Sequence, residues 1–73
     1  MKIPKYYLNR EYQLGEDTFS PWIEIRPIAD YLLPEHKKEE LDEARRFNLH
    51  KVVMCIIGTK WVIIPETYIT ERL

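Results

Sequence analysis

Few side chains in this sequence can do covalent chemistry. Nucleophilic catalysis needs a hydroxyl or thiol within reach of a base. Ser20 is the only serine, and Pro21 follows it with no neighbour marking it as activated. Cys55, the only cysteine, lies inside the apolar run Val52–Ile57, where a thiol behaves as a small hydrophobe. His36 and Glu39 stand at i,i+3 and can share one helix face. A metal site needs further ligands, and no second cluster supplies them. The carboxylates Glu35, Glu39, Glu40, Asp42 and Glu43 read as a solvated helix face. Two glycines, neither in a Gly-rich loop, exclude the familiar phosphate cradles. The expectation is a chain without catalytic residues, metal or cofactor.

Recognition chemistry is better represented. Five tyrosines and two tryptophans exceed what so small a core can bury, and such rings favour interfaces because each joins a large contact area to a polar handle. Residues 5–14 alternate with period two, so Tyr6, Leu8, Tyr12 and Leu14 share one face, with Arg10 as the exception. The same parity places Tyr7, and later Trp22 with Glu24 and Arg26, on the opposite side. Tyr7 and Trp22 are therefore candidate binding residues, and the charged outer face of the helix is a second candidate surface. The competing assignment has these rings covering the ends of the domain.

Seventy-three residues make one domain, and a chain this short buries only about 60% of its unfolded surface. Net charge is −1, from eleven basic and twelve acidic side chains, which gives no long-range pull on a phosphate backbone. A lone cysteine argues against a secreted disulfide scaffold and points to the cytoplasm. No stretch reaches membrane-span length and the N-terminus has no signal-like apolar core, so the chain reads as complete and membrane-free.

The element expected at the centre is the hairpin Val52–Pro65. Six consecutive apolar residues, rich in Val and Ile, suit a strand covered on both faces, and Trp61–Ile64 is its partner across a loop at Gly58-Thr59-Lys60. So apolar a strand must be internal to its sheet or paired across a homo-oligomer. Before it come a half-buried strand over residues 5–14, or two short ones bent near Asn9-Arg10, a turn at Gly15-Glu16-Asp17, and a strand over Thr18–Ile28. Pro21 and Pro27 force that second strand to be at an edge, bent or interrupted. Asp30 can cap a single helical turn. Glu35–Phe47 reads as a peripheral helix. Its apolar stripe is Leu41, Ala44 and Phe47, Asp42 pairs with Arg46 along it, Pro34 sits at its start and Asn48 stops it. Pro65-Glu66-Thr67 then turns the chain into a last short strand around Tyr68–Thr70.

The succession Ile64-Pro65-Glu66-Thr67-Tyr68-Ile69 after a hairpin resembles the end of Src-homology-3 domains, where a strand runs into Ile-Pro-Ser-Asn-Tyr-Val. The two N-terminal strands around Glu16-Asp17 would suit that family's long first loop. The family's opening Ala-Leu-Tyr-Asp-Tyr pattern is absent, no tryptophan pair stands near Val52-Val53, and the helix would be an insertion. The resemblance favours a small five-stranded barrel over an open sheet, and with the helix read above the expectation is an α+β domain, a mostly antiparallel five-stranded barrel or curled sheet with one peripheral helix at about 35–47. The resemblance also implies that Pro65 and Tyr68 help form a peptide groove. From the size of the chain and its surplus of aromatic rings, two functions stay open. The first is a standalone protein-binding module, an adaptor, inhibitor or antitoxin-like regulator of the kind that phages and other mobile elements encode. The second is a nucleic-acid-binding small barrel, with aromatic rings under bases and Lys2, Lys5, Arg10 and Arg26 on phosphates.

Overall fold

Seven strands and one helix follow one another in the computed structural model, which describes residues 2–73. They are β1 (Lys5–Leu8), β2 (Tyr12–Leu14), β3 (Asp17–Phe19), β4 (Glu24–Pro27), α1 (Glu35–Phe47), β5 (Val52–Ile57), β6 (Lys60–Pro65) and β7 (Ile69–Arg72), with 3₁₀ turns at Asp30–Leu32 and Glu66–Tyr68. The fold is α+β. Five strands form an antiparallel sheet in the order β6-β5-β4-β1-β7, and β2 and β3 form a separate two-stranded hairpin. β6 and β7 are the two edges and do not pair, so the sheet is open and the expected barrel does not close.

The apolar run explains the architecture. Along β5, Val53, Cys55 and Ile57 face one cluster, while Val52 and Met54 face another. The first cluster joins Leu8, Ile25, Val62 and Ile64 to the half-buried Tyr6, Tyr12, Phe19 and Tyr68, so the inner faces of all five strands and the β2–β3 hairpin converge there. The second sits on the other side, where Leu33 and Leu41 close over β5. Both faces of the central hairpin are thus covered, as its lack of polar alternation requires. β5 lies between β4 and β6 and needs no second copy to satisfy its backbone.

Both tight turns are two-residue loops with glycine first. Gly58 (φ 62°) precedes Thr59 in β5–β6, and Gly15 (φ 60°) precedes Glu16 in β2–β3. That position demands a left-handed residue in a hairpin whose twist matches its strands. Lys60 belongs to β6 rather than to the loop.

Pro27 fits inside the sheet because β4 divides its pairing. Glu24 and Ile25 pair with β1, whereas Arg26 and Pro27 pair with β5. The Ile28 amide donates to the Met54 carbonyl, which fixes Pro27 opposite Cys55 at a non-hydrogen-bonded position. The missing N–H therefore points to the side where the β1 ladder has already ended. The interruption predicted from the prolines is this change of partner, and the expected strand over 18–28 is two strands.

α1 has the expected bounds but not the expected stripe. Leu41 is buried and Ala44 half-buried, yet Phe47 is 81% exposed. Pro34 stands at the N-cap, and the Asn48 amide closes the helix on the Ala44 carbonyl. Arg45 makes the ion pair that matters: its guanidinium takes both Asp30 carboxylate oxygens and also donates through Nε to the Val52 carbonyl at 3.3 Å. This bond, followed by mutual attraction of the charges, holds the Asp30 carboxyl below its ordinary range. Arg45 thus ties α1 to β5, Asp30 ties its turn to α1 rather than capping that turn, and no Asp42–Arg46 pair forms among the described residues.

Candidate functional site

Trp22 is the only non-glycine described residue with positive φ, at 68°. The cause lies in the ladder between β1 and the residues leading into β4. The Leu8 amide donates to the Ile23 carbonyl, while the Leu8 carbonyl accepts from the Trp22 amide. Two residues therefore oppose one, which is a β-bulge whose first position is left-handed and ordinarily glycine. Pro21 and Trp22 form the turn that leads into it. A bulky residue here carries strain of roughly 1–2 kcal/mol that glycine would avoid. The bulge keeps Ile23 on the inner cluster and turns the indole outward, where it is 49% exposed.

Tyr7 arrives at the same place by strand parity. Tyr6 and Leu8 point inward, and Tyr7 stands on the outer face opposite Thr70 of β7 and Glu24 of β4. Lys5 and Arg72 are the next pair on that face. Arg72 folds its guanidinium over the Trp22 ring, 3.9 Å from the centroid. Trp22, Tyr7, Ile3 and Leu73 supply the apolar wall of an open groove of about 770 Å³, and Lys2, Lys5 and Arg72 supply its charge. The two residues singled out by parity are thus brought together. Arg72 was missed, although carrying the alternation into the last strand would have placed it beside Tyr7, and Lys5 was named only as a phosphate contact.

Tyr68 and Pro65 lie elsewhere. Tyr68 packs on the inner cluster, with its ring edge-on to Tyr12 at 5.7 Å between centroids and the Arg10 guanidinium 4.7 Å above it. Asn9 secures this corner by donating to the Thr67 carbonyl at 3.1 Å and the Thr70 hydroxyl at 2.9 Å. Tyr12 donates its hydroxyl to the Ile63 carbonyl at 2.7 Å, and burial followed by the neighbouring Tyr68 raises its phenol above the ordinary value. Pro65 is half-buried at the end of β6. Tyr7 and Trp22 therefore share one groove, which neither Tyr68, on the inner cluster, nor Pro65, in register with Val52 on the helix side, joins.

The remaining candidates stay apart. Cys55 is fully buried, and desolvation pushes its thiol up to about 12. His36, His50 and Ser20 are exposed, and no group of three ligating side chains assembles among the described residues. The four cations proposed for phosphates divide: Lys2 and Lys5 reach the groove, Arg10 covers Tyr68, and Arg26 donates to the Gly58 carbonyl at 3.3 Å. Tyr31, 81% exposed, borders a smaller hollow of about 290 Å³ between the Asp30–Leu32 turn and α1, lined also by Leu33, Lys38, Leu41 and Asp42. No described helix is long and apolar enough to cross a membrane. No protein-family model, curated protein or solved structure matches this chain.

Proposed function

We propose that this chain is a small protein-binding module, Src-homology-3-like in its connectivity, that acts as a cytoplasmic adaptor, inhibitor or regulator by occupying a partner's surface. One observation carries the reading: the backbone accepts a left-handed tryptophan in order to hold that ring half-exposed beside Tyr7. Strained residues persist where the surrounding structure over-determines them, and they cluster at binding and switching sites. Three features of connectivity support the family resemblance. β4 is shared between two ladders, a hairpin intervenes between β1 and β4, and a 3₁₀ turn joins β6 to β7. Tyr12 and Tyr68, in edge-on contact, would then be the counterparts of that family's groove rings, whereas Pro65, in register with Val52, sits on the helix side of the sheet.

The nucleic-acid reading draws on Lys2 and Lys5 standing near two rings, but Arg10 and Arg26 are directed elsewhere and leave no continuous cationic track. The test is affinity capture with the native chain and with Trp22→Gly as baits, with and without nuclease. A protein retained by the native chain after nuclease and lost by the variant is the expected result. Retention that disappears with nuclease would replace this reading by the nucleic-acid one.

A further inference from the structure

We infer that the groove between Tyr7, Trp22 and Arg72 takes an acidic peptide segment, one that presents carboxylates beside an apolar side chain. The inference rests on the protein-binding reading above and adds the chemistry of the partner.

Charge complementarity argues for it. The chain as a whole is slightly acidic, at −1, yet three of the seven side chains lining this groove are cations and none is a carboxylate. Glu24 shares the outer face, across from Tyr7, and borders the cationic side without lining it. Lys5 and Arg72 are directly paired across β1 and β7, an arrangement of like charges that destabilises a sheet and that a bound anion would relieve. Arg72 is positioned by its stacking on Trp22, which leaves the edge of its guanidinium fork free to take a carboxylate by two parallel N–H···O bonds. Ile3 and Leu73, 85% and 81% exposed, offer apolar surface to a neighbouring side chain of the same peptide.

A single-stranded nucleic acid fits less well. It would need an aromatic face for each base and a run of cations along its phosphates. Here one face of the Trp22 ring is already covered by Arg72, and the cations are confined to one short groove.

The test is amide and indole NMR titration of the native chain with three probes at low salt. The probes are a short peptide alternating Glu with Leu, the same peptide with Gln in place of Glu, and oligo-dT of similar length. The acidic peptide should shift Tyr7, the Trp22 indole and Arg72, bind at least about tenfold tighter than its Gln counterpart, and weaken as salt rises. Lys5→Gln with Arg72→Gln should remove that advantage while leaving the amide spectrum of the core unchanged. Equal binding of the Gln peptide in the groove would overturn the acidic assignment and leave the protein-binding reading standing. Shifts from oligo-dT alone would overturn both. Shifts by the acidic peptide that map outside the groove would overturn the assignment of this surface.

Discussion

Replacing Trp22 by alanine and by glycine tests the bulge without any knowledge of the partner. Both substitutions delete the ring, so both lose the stacking of Arg72, about 0.5–1 kcal/mol at an exposed site, and the half of the indole that is buried. Burial of about 100 Å² at about 25 cal/mol/Å² sets roughly 2.5 kcal/mol as the upper bound of that second loss. These losses cancel in the comparison between the two variants, and what remains is the backbone. Alanine keeps the left-handed cost of about 1–2 kcal/mol, whereas glycine escapes it but gives the unfolded chain about 0.5–1 kcal/mol of additional freedom. Trp22→Gly should therefore be more stable than Trp22→Ala by about 0.7 kcal/mol at the centre of these ranges and by about 1.5 kcal/mol at most. In a domain of this size the central value is a melting temperature higher by about 3–6 °C. Thermal unfolding followed by circular dichroism, with urea midpoints at an unchanged m-value as a second measure, reads the difference. An alanine variant more stable than the glycine variant would mean that residue 22 is not left-handed, and the account of why the ring projects would be wrong.

Other perturbations examine the remaining supports. Tyr12→Phe removes the hydroxyl that meets the Ile63 carbonyl and should cost about 0.5–1.5 kcal/mol in urea unfolding; an unchanged midpoint would show that the hairpin does not brace β6. Leu41→Ala should cost about 2–5 kcal/mol and speed amide exchange throughout α1, whereas Phe47→Ala should stay within about 0.5 kcal/mol of the native chain. The reverse order would invert the assigned helix face. Cys55 should resist an aromatic disulfide reagent at pH 8 until the chain is unfolded in urea. Its folded thiol, at about 12, lies above its ordinary 9.0, so the stability it contributes is present below pH 9 and lost as pH climbs towards 12. Labelling of the native chain at the rate of a free thiol would contradict its burial.

The sequence was most legible where one local signal had one physical solution. Val52–Ile57 lacks polar alternation and could only be a strand with both faces covered, and Gly58 marked its turn. Pro34, Glu35 and Asn48 bracketed α1 to the residue. The apolar stripe misled because it was counted in steps of three: at about 100° per residue, Phe47 lies about 120° around the helix from Leu41, which carries it off the packed face. Asp42–Arg46 was a sound local pair, but Arg45 met Asp30 from another element instead, and spacing along one helix cannot reveal that. Parity placed Tyr7 and Trp22 on the outer side, yet propensity assigns a left-handed position to glycine, so nothing in the local sequence revealed the bulge. Closure of the sheet was equally hidden, because it depends on whether two edges distant in sequence meet.

Because Met54 turns its carbonyl to β4, the residue opposite it, Ile63, must turn its own backbone away from β5 and outward along β6. Left bare, that outward row would be a template on which a second molecule could lay down its own strand, and then a third. Tyr12 occupies the Ile63 acceptor, Pro65 brings no donor to the row, and Lys60 is clasped at 2.8 Å by Asp17 at the tip of the β2–β3 hairpin. The hairpin is therefore a guard against linear polymerisation. Cutting it at Gly15-Glu16 should bare the β6 edge and raise the tendency of the chain to grow fibres from that strand.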